Sequence, residues 1–226
     1  MLKRFLLPVL SCCLISAAHL LLASEVAALP VVPEVGAGLY WQHPPVSSAY
    51  KNGVLRIEAG PHTNWFAPPM GGSVDDNTPR LLFKPEADFV LSAKLKVPFR
   101  STWDSGALVL YVNDQLWAKL CFEQTIEQHP AIVSVVTREW SDDNNSIAVA
   151  GEMVYLKVAK QGQAIFFYAS QDGRKWSIIR AFTLGKNVDL RVGFSSQSPA
   201  GAGCTTEFSE IHYVAHKVNL WTGEPE

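Results

Sequence analysis

The chain has 226 residues and a formal net charge of −2, with 19 Lys and Arg against 21 Asp and Glu. That balance excludes a general nucleic-acid binder, which carries a basic excess. The length suits one domain with a sizeable core.

The first stretch differs from the rest. Lys3 and Arg4 give a basic start, residues 5–23 form an apolar run, and "SEVAALP" follows. Val26 and Ala28 offer small residues at the −3 and −1 positions of a cleavage site. Residues 1–28 therefore read as a signal peptide cut after Ala28, and the mature chain is expected to be secreted or periplasmic. The alternatives are an uncleaved membrane anchor, since the run approaches spanning length, and a lipoprotein modified at Cys12, for which the preceding apolar stretch is short. "LPVVPEVG" stops any helix at once, and no later run is long and apolar enough to span a membrane. Residues 29–226 are then a single β-sandwich domain. Cys12 and Cys13 leave with the signal, so Cys121 and Cys204 remain. They form either a disulfide, as an exported chain allows, or packed free thiols.

The Pro-rich segment 29–45 reads as a lead-in or an edge strand. From Gly53 onward nearly everything alternates with a period of two. "DFVLSAKLKVPF" puts Phe89, Leu91, Ala93, Leu95 and Val97 on one face and Lys94 and Lys96 on the other. "VYLKVAK" repeats the pattern with Val154, Leu156 and Val158 against Lys157. About a dozen such runs are separated by turn signals such as Asn113-Asp114, Asp143-Asn144-Asn145, Asp172-Gly173 and Gly201-Ala202-Gly203. No helical period appears after the signal. The expected fold is all-β, a sandwich or jelly roll of short antiparallel strands.

"LWAKLCFE" is the most informative strand. Ala118, Leu120 and Phe122 make a core face, while Trp117, Lys119, Cys121 and Glu123 share the other. A partly buried, polar concave face explains an aromatic, a cation and an anion in one line; surface charge or a structural ion pair explains them otherwise. Lys119 and Glu123 stand four steps of roughly 3.3 Å apart, too far to pair directly. "STWDSGALV" places Asp104 at a turn, capping it or standing at the groove's mouth. "HTNWF" adds Trp65. Seven tryptophans suit stacking on sugar rings as well as packing. "SVVTREWSDDNN" begins as a strand in which Ser134 and Arg138 have one parity and Thr137 the other. Its Asp142-Asp143-Asn144-Asn145 run reads as a capped turn at the groove's rim, or as hard-oxygen calcium ligands. "SQDGRKW" reads as a hairpin turn, and Arg180 interrupts an apolar stripe with Trp176 and Ile178.

Catalytic templates fail. There is no G-x-S-x-G elbow and no H-E-x-x-H, and the Glu-x-Asp-x-Glu run of concanavalin-like glucanases is missing. Two-carboxylate hydrolysis needs carboxyl groups roughly 5–10 Å apart, for which Glu123 with Asp104 or Asp142 are the candidates. No metal site and no cofactor is indicated.

"WDSGALVLYVNDQLWAKLCFE", "SVVTREWSDD", "SQDGRKWSIIR" and "VGFSSQSPAGAGC" occur in this order at spacings that resemble a domain-of-unknown-function family of the concanavalin A-like lectin/glucanase superfamily, also labelled regulation-of-enolase-like. The resemblance covers residues 38–213. It maps family positions onto Trp65, Asp104, Gly106, Trp117, Lys119, Glu123, Ser134, Val136, Thr137, Ser141, Asp142, Asp172, Gly173, Trp176, Arg180, Ser198 and Pro199. It implies a jelly-roll sandwich of two antiparallel sheets and, by analogy of fold, carbohydrate binding.

The expected function is non-catalytic binding of a glycan or another polar ligand on the concave face. Trp65, Asp104, Trp117, Lys119, Glu123, Arg138, Asp142 and Arg180 are the candidate contacts. A glycoside hydrolase or lyase and a ligand-free interaction domain are the alternatives. On this reading Trp117→Ala weakens binding more than folding.

Overall fold

The computed structural model describes residues 28–225, so the expected signal segment lies outside the described residues except for Ala28. In chain order the strands are β1 (Tyr40–Gln42), β2 (Ser47–Lys51), β3 (Val54–Ala59), β4 (Trp65–Phe66), β5 (Asp75–Asp76), β6 (Arg80–Phe83), β7 (Phe89–Lys96), β8 (Ser105–Asn113) and β9 (Leu116–Gln124). They continue as β10 (Pro130–Arg138), β11 (Trp140–Ala148), β12 (Met153–Gln161), β13 (Ala164–Ser170), β14 (Ser177–Phe182), β15 (Arg191–Gln197), β16 (Cys204–Val214), β17 (Val218–Asn219) and β18 (Glu224–Pro225). Among the described residues the only helical piece is a 3-10 turn, Pro33–Val35.

Two seven-stranded antiparallel sheets pack face to face. The first runs β1-β6-β15-β8-β9-β10-β11 and the second β14-β13-β12-β7-β16-β3-β2. The inward stripes of β7 (Phe89, Leu91, Ala93, Leu95) and β12 (Val154, Leu156, Val158) meet Leu108, Leu110, Leu120, Phe122 and Phe194 of the first sheet. The sequence period thus sets the core. The sheets approach closely at Gly106, where an added Cβ would fall 2.3 Å from the Thr206 side chain.

The central strands of the first sheet are buried on both faces. β10 is buried from Ala131 through Thr137 without a break. Its inner residues Ile132 and Val136 join the main core. Val133 and Val135 join a second cluster on the outer face, with Trp65, Leu82, Val109, Trp117 and Cys121. The segment carrying β4 and β5 folds over that outer face, which is why it does not meet solvent.

One turn differs from the sequence reading. The hairpin after β10 turns at Glu139, whose φ is 66°, and Arg138 already pairs with Trp140. The Asp142–Asn145 run is therefore mid-strand in β11 and not a turn. β11 is an edge strand, and edges tolerate charge because it blocks pairing with other chains.

The disulfide alternative is not realised. Cys121 and Cys204 are both free and buried. Cys121 sits in the outer cluster and Cys204 in the inter-sheet core, so the first sheet lies between them. Burial pushes both thiols up to about 12, which makes them inert packing groups. Titration of residues 29–226, unfolded and unreduced, is expected to give two free thiols; none would mean that the pair oxidises.

Candidate functional site

β9 supplies the floor of a cleft on the outer face of the first sheet. Trp117, Lys119, Cys121 and Glu123 do share this face. Register places Lys119 between Val109 and Val135, and Glu123 between Ser105 and Ala131. A cavity of about 290 Å³ opens above Lys119 and Glu123. Asn64 and Phe66 from the covering segment, Trp103 and Pro199 from loops, and Val133, Val135, Asp143 and Gln197 from neighbouring strands complete its lining.

The floor is polar and under-paired. Lys119 is 3% exposed, and its Nζ donates to Gln197 Oε1 at 3.0 Å, its one hydrogen bond among the described residues. Glu123 is 8% exposed, and no described group hydrogen-bonds its carboxyl. Burial raises its pKa from 4.5 to about 8, against the pull of Lys119 and with some help from Asp143. At neutral pH Glu123 is mostly a protonated acid, able both to donate and to accept. Asp143 is also raised, first by burial, with Lys119 opposing. A buried ammonium and a buried carboxyl facing one space, neither fully partnered, are costly unless water or a ligand completes them.

One wall is a loop held by Asp104. Its Oδ2 accepts from the Arg100 and Ser101 amides, both at 3.0 Å, and its Oδ1 accepts from Ser198 Oγ at 2.6 Å. Asp104 is fully buried and spent on this network. The network fixes its neighbour Trp103, which has a φ of 66° and is 43% exposed. A large residue held in the left-handed region costs energy that the surroundings must supply. Here it presents an indole at the cleft. The Trp103 amide donates to Gln124 O at 2.7 Å, and Gln197 Nε2 donates to Trp103 O at 3.4 Å.

Trp65 and Trp117 are in the site's wall but not on its surface. They stack with centroids 4.0 Å apart, exposed 1% and 0%. The Arg80 guanidinium lies 4.2 Å over the Trp65 ring and pairs with Asp76 at 2.5 Å. Trp117 is thus a packing residue, and its loss is expected to act on folding first, not on binding as the sequence reading had it.

Three candidates lie outside the cleft. Ser134, Val136 and Arg138 have the inward parity, and Arg138 Nη2 donates to Thr183 O at 2.6 Å. Asp142 pairs across from Val136, so it points the same way, while Asp143, opposite Val135, faces the cleft. Arg180, on the edge strand β14 of the second sheet, clasps the edge of the first. Its Nη2 meets Asp142 Oδ2 at 2.8 Å, and its Nη1 donates to the carbonyls of Ser134 and Asp142, each at 3.2 Å.

Sequence reasoning missed Phe66, Trp103, Asp143 and Gln197 as cleft residues. Trp103 carried a signal, because it sits inside the quoted "STWDSGALV" turn. Among the described residues no group of three or more His, Cys, Asp and Glu could hold a metal ion, and no helix is long and apolar enough to cross a membrane.

Fold and cleft together define an antiparallel β-sandwich with a small pocket, polar at its floor, on the outer face of one sheet. The chain belongs to the DUF1349 family, described as protein of unknown function, whose model matches residues 41–215. No curated protein matches the sequence. Among solved structures, a functionally unknown protein from Saccharomyces cerevisiae is similar at TM-score 0.73 and 20% identity, over 80% of this chain and 97% of that one. The GH43 BlXynB protein from Bacillus licheniformis is similar at TM-score 0.57 and 18% identity, over 74% of this chain and 34% of that one. A xylan β-1,4-xylosidase from Bacillus halodurans C-125 gives TM-score 0.57 and 16% identity, over 72% and 33%. This chain therefore corresponds to about a third of each of the latter two. At these identities the likeness is one of fold.

Proposed function

We propose that the protein is an exported, non-catalytic β-sandwich that binds a polyhydroxyl ligand, a sugar ring, in the cleft above Lys119 and Glu123. The carrying observation is the pair itself: two buried ionisable side chains, not fully partnered, on the floor of one cavity beside aromatic rings. A hydroxyl group answers both, accepting from the ammonium and exchanging a hydrogen bond with the carboxyl. Gln197, Asn64 and Asp143 add donors and acceptors, and Phe66 and Trp103 offer apolar faces to ring C–H groups. A few placed polar groups in an otherwise apolar lining is the usual make-up of a small-molecule site. Export rests on the basic, apolar and small-residue order of residues 1–28.

The hydrolase alternative loses both named partners of Glu123. Asp104 is consumed by its loop, and Asp142 is turned inward to Arg180. Asp143 is the second carboxyl left in the cleft, and burial raises it as well as Glu123, so neither is a ready carboxylate base, which supports binding over turnover.

Calorimetry or ligand-observed NMR with neutral monosaccharides tests the reading. Wild type is expected to bind at least one. Trp103→Ala should weaken that binding about five- to tenfold, roughly 1 kcal/mol, the scale of one aromatic contact. Lys119→Met should weaken it at least as much. Arg180→Met, outside the cleft, should leave it unchanged. Absence of binding by wild type across the panel, or equal loss in Arg180→Met, overturns the assignment.

A further inference from the structure

The shape of the cleft says more than its chemistry. A groove that reads the middle of a polymer must be open at both ends, so that the chain can run through. This one is stopped in both directions along the strands. At one end, the segment Trp65–Ala67 crosses the outer face of the first sheet and ties to the beginning of β11. The Ser141 amide donates to Ala67 O at 2.8 Å, and the Ala67 amide donates to Ser141 Oγ at 3.0 Å. Ser141 Oγ is also 2.9 Å from Thr137 Oγ1 on β10, so the tie reaches two strands.

The crossing segment is not a mobile flap. Trp65 is clamped between the Trp117 ring, 4.0 Å away, and the Arg80 guanidinium, 4.2 Å away, and is 1% exposed. β4 and β5 pair within it, Trp65 with Asp76 and Phe66 with Asp75. Asp76 holds Arg80 in turn. At the other end stand Trp103 and Pro199, with Trp103 fastened through its amide to Gln124 and through its carbonyl to Gln197. Asn64 lines the flank on the β15 side, next to the bridge between Thr63 and Ser198, and Phe66 lines the crossing end between Trp65 and Ala67. Approach is left from above and from the edge formed by β10 and β11. The cleft's volume of about 290 Å³ lies just under the range for small-molecule sites, roughly 300–1,000 Å³.

We propose that the cleft is a chain-end pocket: it takes one ring, as a free monosaccharide or as the terminal residue of a glycan, and not an internal stretch of a polysaccharide. This rests on the polyhydroxyl reading above and adds to it the class of sugar recognised. Lys119 and Glu123, on the floor, meet the hydroxyls of the one ring that enters. The remainder of a longer glycan leaves toward solvent past β11, whose residues on the cleft side, Ser141, Asp143 and Asn145, are polar and offer no aromatic plate.

A length series on the wild-type protein is the test. Calorimetric titration uses glucose, galactose, mannose, xylose and arabinose, each as the monosaccharide and as linear homo-oligomers of two, four and six units. The expected result is that, for any sugar that binds, affinity per chain stays within about threefold from one unit to six. A tenfold or greater gain between one and four units overturns the chain-end pocket while leaving polyhydroxyl binding in place. Binding by oligomers but not by their monosaccharide has the same meaning. No binding at any length overturns both.

Discussion

Replacing Glu123 by Gln is expected to stabilise the protein at alkaline pH and to change little in acid. In the unfolded chain Glu123 ionises near 4.5, and in the fold near about 8. Between those values the folded state holds a proton that the unfolded state has released. Stability from this group is therefore complete below 4.5 and falls by about 1.4 kcal/mol per pH unit until the folded value is passed. The loss across the span is roughly 3–5 kcal/mol, a large share of the 5–15 kcal/mol typical of a domain. Gln has nearly the shape of the neutral acid and cannot ionise, so Glu123→Gln escapes the loss. Urea unfolding of both proteins at pH 4.5, 7 and 9 checks this. The variant should gain on wild type by a few kcal/mol between the first and last. A difference that does not move with pH would mean that water hydrates the carboxyl and that the cleft floor is wetter than its burial implies.

Trp117→Ala is expected to be the most damaging single change at the site, and through the fold. Its side chain is fully enclosed, so truncation leaves a cavity as well as removing contacts, at about 3–5 kcal/mol. Trp65 loses its stacking partner at the same time, so the crossing segment loosens and the cleft loses its blocked end. For a chain of this size the melting temperature should fall by about 6–20 °C. Trp103→Ala, which empties no core, should stay within about 0.5 kcal/mol of wild type. Thermal unfolding of the two variants side by side decides the matter. Equal melting temperatures would show that the Trp65–Trp117 stack does not hold the wall.

These residues also mark where the sequence stops being readable. The two faces of β9 follow from alternation alone, because a pleat leaves no other choice once the strand exists. Whether Trp117 lies open or sealed depends on a segment some fifty residues earlier folding across it, and no local pattern carries that. From Ser141 to Ser146 both faces of β11 are polar, so alternation separates Asp142 from Asp143 without saying which meets the cleft. The pairing of Val135 with Asp143 settles it. Arg180 has the parity of Ile178 by count, yet the strand partner shifts register between Phe167 and Tyr168, and the count no longer maps onto a face. Trp103 sits in a turn, where no period operates. The acidic run of residues 142–145 has turn composition, but as an exposed edge β11 needs no apolar face. Composition therefore pointed to a bend where the chain runs straight.

The strand order has a consequence for how the molecule is made. β15 lies between β6 and β8 in one sheet, and β16 lies between β7 and β3 in the other. Both inserting strands come late in the chain. During synthesis, β6, β8, β3 and β7 emerge with open edges that nothing can pair until residues 191–214 have followed. Neither sheet can close before its late strand arrives, and assembly belongs with the slow, non-local class of β topologies. Nascent chains stalled or cut before Val214 would expose several apolar edges at once, the condition that holdase chaperones exist to shield.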